Sequence, residues 1–191
     1  LRGHTDAITG LAVADGPGGG LYSSAEDGAV RQWVPGRGTS RVVARHEDGA
    51  EVVVPTGDGV ATGGRTGSIT DRERRLDAGA KVRRLAVLHG GTHLAAATSD
   101  DDVIVWDRRT GARAVWRGHQ GKVEDATTDP DGHLVTGGND GRVLRWERDG
   151  TPREILAVEE PVATVRVRPD GRVVAGTQTG AVLVDGRPSP Q

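Results

Sequence analysis

Two stretches of this chain carry the residue types of a hydrolytic triad. His4, Ser23 and Asp27 make the first set, and His119, Thr136 and Asp140 the second; a lone tryptophan follows each, Trp33 or Trp146. A hydroxyl, an imidazole and a carboxylate can serve as nucleophile, general base and the group that orients the base. Three features argue for scaffolding instead. Ser23 falls in a stretch read as a strand, without the glycines of a nucleophile elbow around it. The set occurs twice, whereas an active site is seldom duplicated. The spacing is also that of a repeat: Arg-Gly-His stands at 2–4 and again at 117–119, and the tryptophan follows the histidine by 29 and 27 residues. In both copies the aspartate lies six positions before the tryptophan.

Aligning the chain with itself extends the pattern. Anchors at Trp33, Arg72, Trp106, Trp146 and Asp185 are spaced by 39, 34, 40 and 39 residues. Six positions before them stand Asp27, Thr66, Asp100, Asp140 and Thr179, and three before them Val30, Ile69, Val103, Val143 and Val182. A period near 40 with a Gly-His start and a Trp-Asp-like end is the signature of a propeller blade. The chain therefore resembles the WD-repeat β-propeller family over its whole length, although only Trp106-Asp107 spells the dipeptide itself. The resemblance implies an all-β fold of four-stranded antiparallel blades. About five are expected, over residues 1–42, 43–75, 76–116, 117–156 and 157–191, as an incomplete ring cut from a longer chain.

Repeat four reads directly as strands. Val123 to Thr128 is the innermost, Asp129-Pro130-Asp131-Gly132 a hairpin turn, His133 to Gly138 the second strand, Arg142 to Glu147 the third and Arg153 to Leu156 the outer one. Proline presets the first corner of that turn and glycine supplies its left-handed residue. Arg168-Pro169-Asp170-Gly171 repeats the turn in repeat five, and Ala14-Asp15-Gly16 stands there in repeat one. Leu1-Arg2 reads as the end of an outer strand, Val182 to Val184 as a strand with no outer strand after it, and Pro188 to Gln191 as the start of a linker.

By the same resemblance, His4, Ser23, Asp27 and Trp33, and likewise His119, Thr136, Asp140 and Trp146, form buried structural tetrads. Indole donates to hydroxyl, hydroxyl to imidazole and imidazole to carboxylate, which leaves no buried group unpaired. Repeat three has Ala78 and Ala96 in place of the histidine and hydroxyl. Repeat two keeps His46 and Thr62 but has Thr66 and Arg72, so His46 is expected to be solvated; repeat five has none of the four.

Composition agrees. Gly is 30 of 191 residues, which suits many tight hairpins, and no window holds helical periodicity. Cysteine is absent, which removes disulfides and thiolate metal sites. No apolar run approaches the length of a membrane-spanning helix. A net charge of −2 gives no footprint for nucleic acid or an anionic membrane, so neither is expected as a partner. The arginine-rich, Ala- and Val-rich composition suggests a bacterial source, and with no targeting segment a cytoplasmic location is expected.

Other clusters have plainer readings. Ser99 to Asp102 is a polar turn, His89 and His93 sit in a Gly-rich hairpin, and Arg72 to Arg75 is a solvated edge. No metal or cofactor is expected. Function should lie on the loops that open the innermost strands and on the turns between second and third strands, which the family uses as a partner-binding top face. Carried over, these positions are Thr5, Ala7 and Glu26; Arg65; Gly79, Lys81 and Ser99; Gln120, Lys122 and Asn139; and Glu159, Pro161 and Gln178. Lys81 and Lys122, the two lysines of the chain, share one blade position, which suggests an acidic partner. The expected function is a non-catalytic protein-interaction scaffold or sensor. The alternatives are a propeller enzyme of lactonase or hydrolase type and a sugar-binding propeller; the first would need an inward carboxylate series and the second aromatic platforms.

Overall fold

A computed structural model describes residues 3–14, 19–34, 36–184 and 187–188. The turn expected at Asp15-Gly16, the strand end at Leu1-Arg2, the anchor Asp185 and the linker residues 189–191 lie outside the described residues. Two compact units divide the chain, Leu1–Leu85 and Ala86–Gln191. Among the described residues no helix is long and apolar enough to cross a membrane.

The described residues form five four-stranded antiparallel sheets, each with its strands in sequence order. The first holds β1 (Ile8–Ala14), β2 (Gly20–Ala25), β3 (Ala29–Val34) and β4 (Thr39–Arg45). The second holds β5 (Ala50–Pro55), β6 (Val60–Gly64), β7 (Ser68–Asp71) and β8 (Arg74–Asp77). The third holds β9 (Val82–Leu88), β10 (His93–Thr98), β11 (Asp102–Asp107) and β12 (Arg113–Arg117). The fourth holds β13 (Val123–Thr128), β14 (Leu134–Gly138), β15 (Arg142–Trp146) and β16 (Pro152–Ala157). The fifth holds β17 (Val162–Val167), β18 (Val173–Thr177), β19 (Val182–Val184) and β20 (Arg187–Pro188). In topology each sheet is a propeller blade, and the chain is all-β as expected.

The last pair corrects the expectation that no outer strand follows Val184. Leu183 pairs with Pro188 and Val184 with Arg187, so Pro188 is strand, not linker.

Short-range chemistry explains the repetition. Gly132 closes the Asp129 turn at φ 81, its N–H donating to the Asp129 carbonyl at 2.9 Å. Gly28 and Gly141 do a harder task. Both have positive φ (76 and 75), and a Cβ there would lie 2.1 and 2.0 Å from the carbonyl oxygens of His46 and Val158. That close approach lets the two glycine carbonyls accept the N–H of His46 and Val158 at 2.9 Å, handing the chain on to its next sheet. A register shift also recurs one residue into β1, β5, β13 and β17. The bulge frees Thr9, Glu51, Glu124 and Ala163 from the ladder and re-aims their side chains.

Burial follows one packing rule inside each unit. In Leu1–Leu85, Tyr22 and Val30 of the first sheet pack on Ala50 and Val53 of the second. In Ala86–Gln191, Ala95, Ala97 and Val103 of the third pack with Val123 and Ala126 of the fourth, and Val135 and Val143 with Val162 and Val165 of the fifth. The alternation of a strand supplies two apolar faces, one for each neighbouring sheet.

Candidate functional site

Both triad-like sets assemble as tetrads. His4 Nε2 lies 2.7 Å from Ser23 Oγ and its Nδ1 3.1 Å from both Asp27 oxygens, while Trp33 Nε1 donates to Ser23 Oγ at 2.8 Å. His119 Nε2 lies 2.7 Å from Thr136 Oγ1, its Nδ1 3.0 and 3.1 Å from the Asp140 oxygens, and Trp146 Nε1 donates to Thr136 Oγ1 at 2.8 Å. The proton order is forced by the indole, which can only donate. The hydroxyl therefore gives its own hydrogen to Nε2, and Nδ1–H donates to the carboxylate.

The carboxylates do more than orient a ring. Asp27 accepts the N–H groups of Thr5 and Ala29 at 2.9 Å, and Asp140 those of Gln120 at 2.9 Å and Arg142 at 3.2 Å. Burial acts to raise each carboxyl, but these N–H groups and the imidazole outweigh it and hold both below the ordinary value of 3.8. Burial pushes His119 down from 6.5 against the raising effect of Asp140, so the ring stays neutral. Hydrogen-bond order and proton order match a hydrolase triad, but access differs. Ser23 and Thr136 are 1% and 0% exposed, and each oxygen already accepts an indole N–H. A nucleophile needs an open oxygen, and these are closed.

In the second sheet the expectation of a solvated His46 is overturned. The ring is buried, with Nε2 2.8 Å from Thr62 Oγ1 and Nδ1 2.8 Å from Ser68 Oγ. Ser68, which sequence reasoning missed, replaces the tetrad aspartate, while Asp48 accepts the Thr66 N–H. Burial lowers the His46 pKa. The anchor Arg72 sits beyond β7 at φ 58 and pairs with Asp58. Beside His46, in this sheet without tryptophan, a cleft of about 610 Å³ is lined by Ile69, Arg75 and Leu76 among others.

The predicted partner-facing residues fall on loops, and the structure joins some of them. In Leu1–Leu85, Arg65 Nη2 donates to Glu26 Oε1 at 2.9 Å and its Nε to Glu51 Oε1 at 2.8 Å, and Lys81 Nζ lies 3.1 Å from the same Glu51 oxygen. Glu51 was not foreseen; the bulge in β5 is the signal that would have found it. Burial acts to raise its carboxyl, and Arg65 and Lys81 together bring it below the ordinary range. Two carboxylates balance two cations here, so Lys81 belongs to a neutral network instead of a basic patch. Thr5 donates its N–H to Asp27, and the Ala7 carbonyl accepts the Glu26 N–H.

In Ala86–Gln191, Gln178 Nε2 donates to Asn139 Oδ1 at 3.3 Å, Asn139 N–H to the Lys122 carbonyl at 2.9 Å, and Gln178 N–H to the Pro161 carbonyl at 3.0 Å. Gln120 is tied through its N–H to Asp140. Ser99 lies in the β10–β11 turn and Glu159 in the bend before β17. Another residue not foreseen is Asp125, whose buried carboxylate accepts Thr164 Oγ1 at 2.7 Å, Val165 N–H at 3.0 Å and Arg166 Nη1 at 2.7 Å. It fastens β13 to β17.

Asp129, Asp131 and His133 converge closely enough to hold a cation. Arg145 already stands among them: Nε donates to Asp129 Oδ2 at 2.7 Å, Nη2 to His133 Nδ1 at 2.8 Å, and Nη2 lies 3.6 Å from Asp131 Oδ2. A metal would face a fixed guanidinium, so the cluster reads as an arginine clamp. His89 packs edge-on against the His93 and His133 rings at 5.6 and 5.8 Å. Trp116 is buried and stacked on Trp146 at 5.9 Å, a packing role.

Comparison with known proteins bears on the same residues. The family described as WD domain, G-beta repeat matches residues 1–34 and 112–147, the two segments that hold the complete tetrads. The chain is also similar to ribosome biogenesis protein ERB1 of Chaetomium globosum and of Emericella nidulans, 46% identical to each over 65 residues, or 31% of this chain and 8% of either relative. The corresponding protein of Aspergillus niger is 47% identical over 60 residues, 29% of this chain and 8% of that protein. The aligned segment thus spans under a tenth of these relatives' length. All are fungal, which overturns the bacterial source read from composition: arginine and alanine content reports nucleotide bias, not lineage. Five blade-type sheets, two closed tetrads and the matches at both of them agree: the chain carries WD repeats at 1–34 and 112–147 within a fold built of propeller-type blades.

Proposed function

We propose that the chain is a non-catalytic protein-binding module that meets its partners through the loops opening the innermost strands and the turns between second and third strands. The exposed network of Glu26, Arg65, Glu51 and Lys81 carries this reading. It gathers residues from four separate segments at one place, yet an exposed ion pair such as Glu26–Arg65 contributes only about 0–1 kcal/mol to stability. A network that does little for folding but presents forked donors and carboxylates in fixed geometry suits recognition, where electrostatic complementarity sets specificity and on-rate. Its neutral balance favours a partner of mixed charge over an acidic one. Burial of both tetrad hydroxyls supports the non-catalytic part.

The relatives' names place those proteins in ribosome biogenesis. The aligned segment is 8% of each, so what carries over is the repeat structure, with the process itself open to test. The test is a triple variant, Glu26→Ala, Arg65→Ala and Lys81→Ala, measured against a partner captured by cross-linking and then purified. Affinity should fall by about tenfold or more, as for a central polar cluster, while the melting temperature holds. Unchanged affinity would remove this surface from the proposal.

A further inference from the structure

Three of the six histidines engage both ring nitrogens inside their own sheets: His4, His46 and His119. The hairpin between β9 and β10 is different. Its two histidines, His89 and His93, stand four residues apart, with rings crossed edge-on at 5.6 Å and an interplanar angle of 82°. His89 Nδ1 is buried and has no hydrogen-bond partner among the described residues. A buried nitrogen left unpaired costs free energy, and native structures rarely keep one without a use for it. The same residue carries backbone strain. At φ 49 it is one of two non-glycine residues in the left-handed region among those described.

The surroundings hold this hairpin in place. His89 N–H donates to the Gly132 carbonyl of the fourth sheet at 3.2 Å. Arg108 donates its N–H to the Thr92 carbonyl at 2.9 Å and its Nη1 to the Gly91 carbonyl at 2.8 Å. Thr92 then fixes a proton. Its Oγ1 gives its one hydrogen to the His89 carbonyl at 3.1 Å, so it can only accept at its 2.9 Å contact with His93 Nδ1. His93 therefore carries its N–H on Nδ1 and presents a lone pair at Nε2, the tautomer of a metal-binding histidine oriented by a neighbouring group.

Two imidazoles on one ion, each nitrogen about 2.0–2.1 Å from it, bring their ring centres to roughly 5–6 Å. The 5.6 Å between His89 and His93 lies in that range. Burial, and after it the positive charge of Arg148, lower the His89 pKa, so near neutrality no proton competes for its lone pair. Arg148 is exposed, and water screens its repulsion of a bound cation. His133 and Asp129 stand close by but are engaged. Arg145 donates to His133 Nδ1 at 2.8 Å and to Asp129 at 2.7 Å, which puts the His133 proton on Nε2 and leaves that ring no lone pair to offer.

We propose that His89 and His93 form a binding site for a divalent transition-metal ion of the class of Zn²⁺, Ni²⁺ or Cu²⁺, through the ring nitrogens the fold leaves unused. Neutral imidazole suits these ions, whereas Mg²⁺ and Ca²⁺ take oxygen ligands. Two protein ligands leave the remaining positions to water, so the site is an open one that exchanges its ion.

Isothermal titration of the intact chain at neutral pH with ZnCl₂ up to about 1 mM should show binding, and MgCl₂ should show none. His89→Asn keeps the left-handed backbone, which asparagine tolerates, and removes the imidazole. It and His93→Gln should each weaken zinc binding by about tenfold or more. Thr92→Val releases the His93 tautomer without removing a ligand, and should weaken zinc by roughly tenfold. His133→Asn should bind zinc as the parent does, and all four variants should keep the parent's circular dichroism. Absence of zinc binding overturns the proposal, as does magnesium binding as tight as zinc. So does parent-like affinity in any of the His89, His93 or Thr92 variants, or a loss in His133→Asn as large as that in His93→Gln.

Discussion

The fourth and second sheets solve one problem in two ways. Both bury a histidine whose Nε2 meets a threonine hydroxyl, at 2.7 Å for His119 and 2.8 Å for His46. In the fourth sheet Asp140 alone serves the ring's Nδ1 and two backbone N–H groups, and Trp146 supplies the opposite end. In the second sheet that work is divided: Ser68 serves the ring and Asp48 the backbone, with no indole at all. What the fold requires is a partner for each ring nitrogen and each turn N–H; the residue that supplies it is exchangeable. The indole is a separate matter, since it fills volume as well as donating.

Breaking that comparison starts with the indole. Trp146→Ala should destabilise by roughly 3–5 kcal/mol, the range for truncating a fully buried aromatic, whereas Arg72→Ala at the equivalent position should stay within about 0.5 kcal/mol. Urea denaturation of both variants measures the difference, and equal costs would show that the position does not depend on the indole. Asp140→Ala comes next, at about 1–3 kcal/mol for leaving buried donors without an acceptor. Ser68→Ala, which orphans one nitrogen of His46, should cost less, near 1 kcal/mol; if it costs as much as Asp140→Ala, the idea of divided work is wrong.

Acid provides a gentler probe. His119 and His46 have folded pKa values below 6.5, so the unfolded chain binds more protons than the folded one once pH drops under that value. Their stabilising contribution is full above 6.5 and is lost as pH falls toward the folded values. Asp27 and Asp140 also have lowered values, so theirs is full above 3.8 and fades as pH falls through the folded pKa. The melting temperature should therefore decline in two stages between neutral pH and strong acid. His119→Gln should weaken the first stage, and a single stage confined to the carboxylate range would contradict the buried neutral imidazoles.

Legibility varied with the range of the interaction. The turn at Asp129-Pro130-Asp131-Gly132 and the strand Val123–Thr128 were readable because both depend on neighbours in sequence. Both tetrads were readable because a repeat fixes the spacing of their members. Ser68 was not, since it lies two residues beyond the position where the repeat puts an acceptor, and only the short β7 hairpin brings it to His46. Nor were Glu51 and Asp125: a bulge re-aims the first, and the second meets donors 39 to 41 residues away on another sheet.

From its amino acids alone this chain declares a period near 40, the turns that close each hairpin and the polar sets that recur with them. Those properties arise from local backbone preference and from repetition, which a linear string records in full. Which nitrogen accepts which hydrogen at His46, where the charges of Arg65 and Lys81 are spent, and that His89 keeps an unpaired nitrogen were decided only in three dimensions. Each of these depends on which groups the fold brings within reach, and a histidine looks the same in sequence whether its ring nitrogens are paired or not.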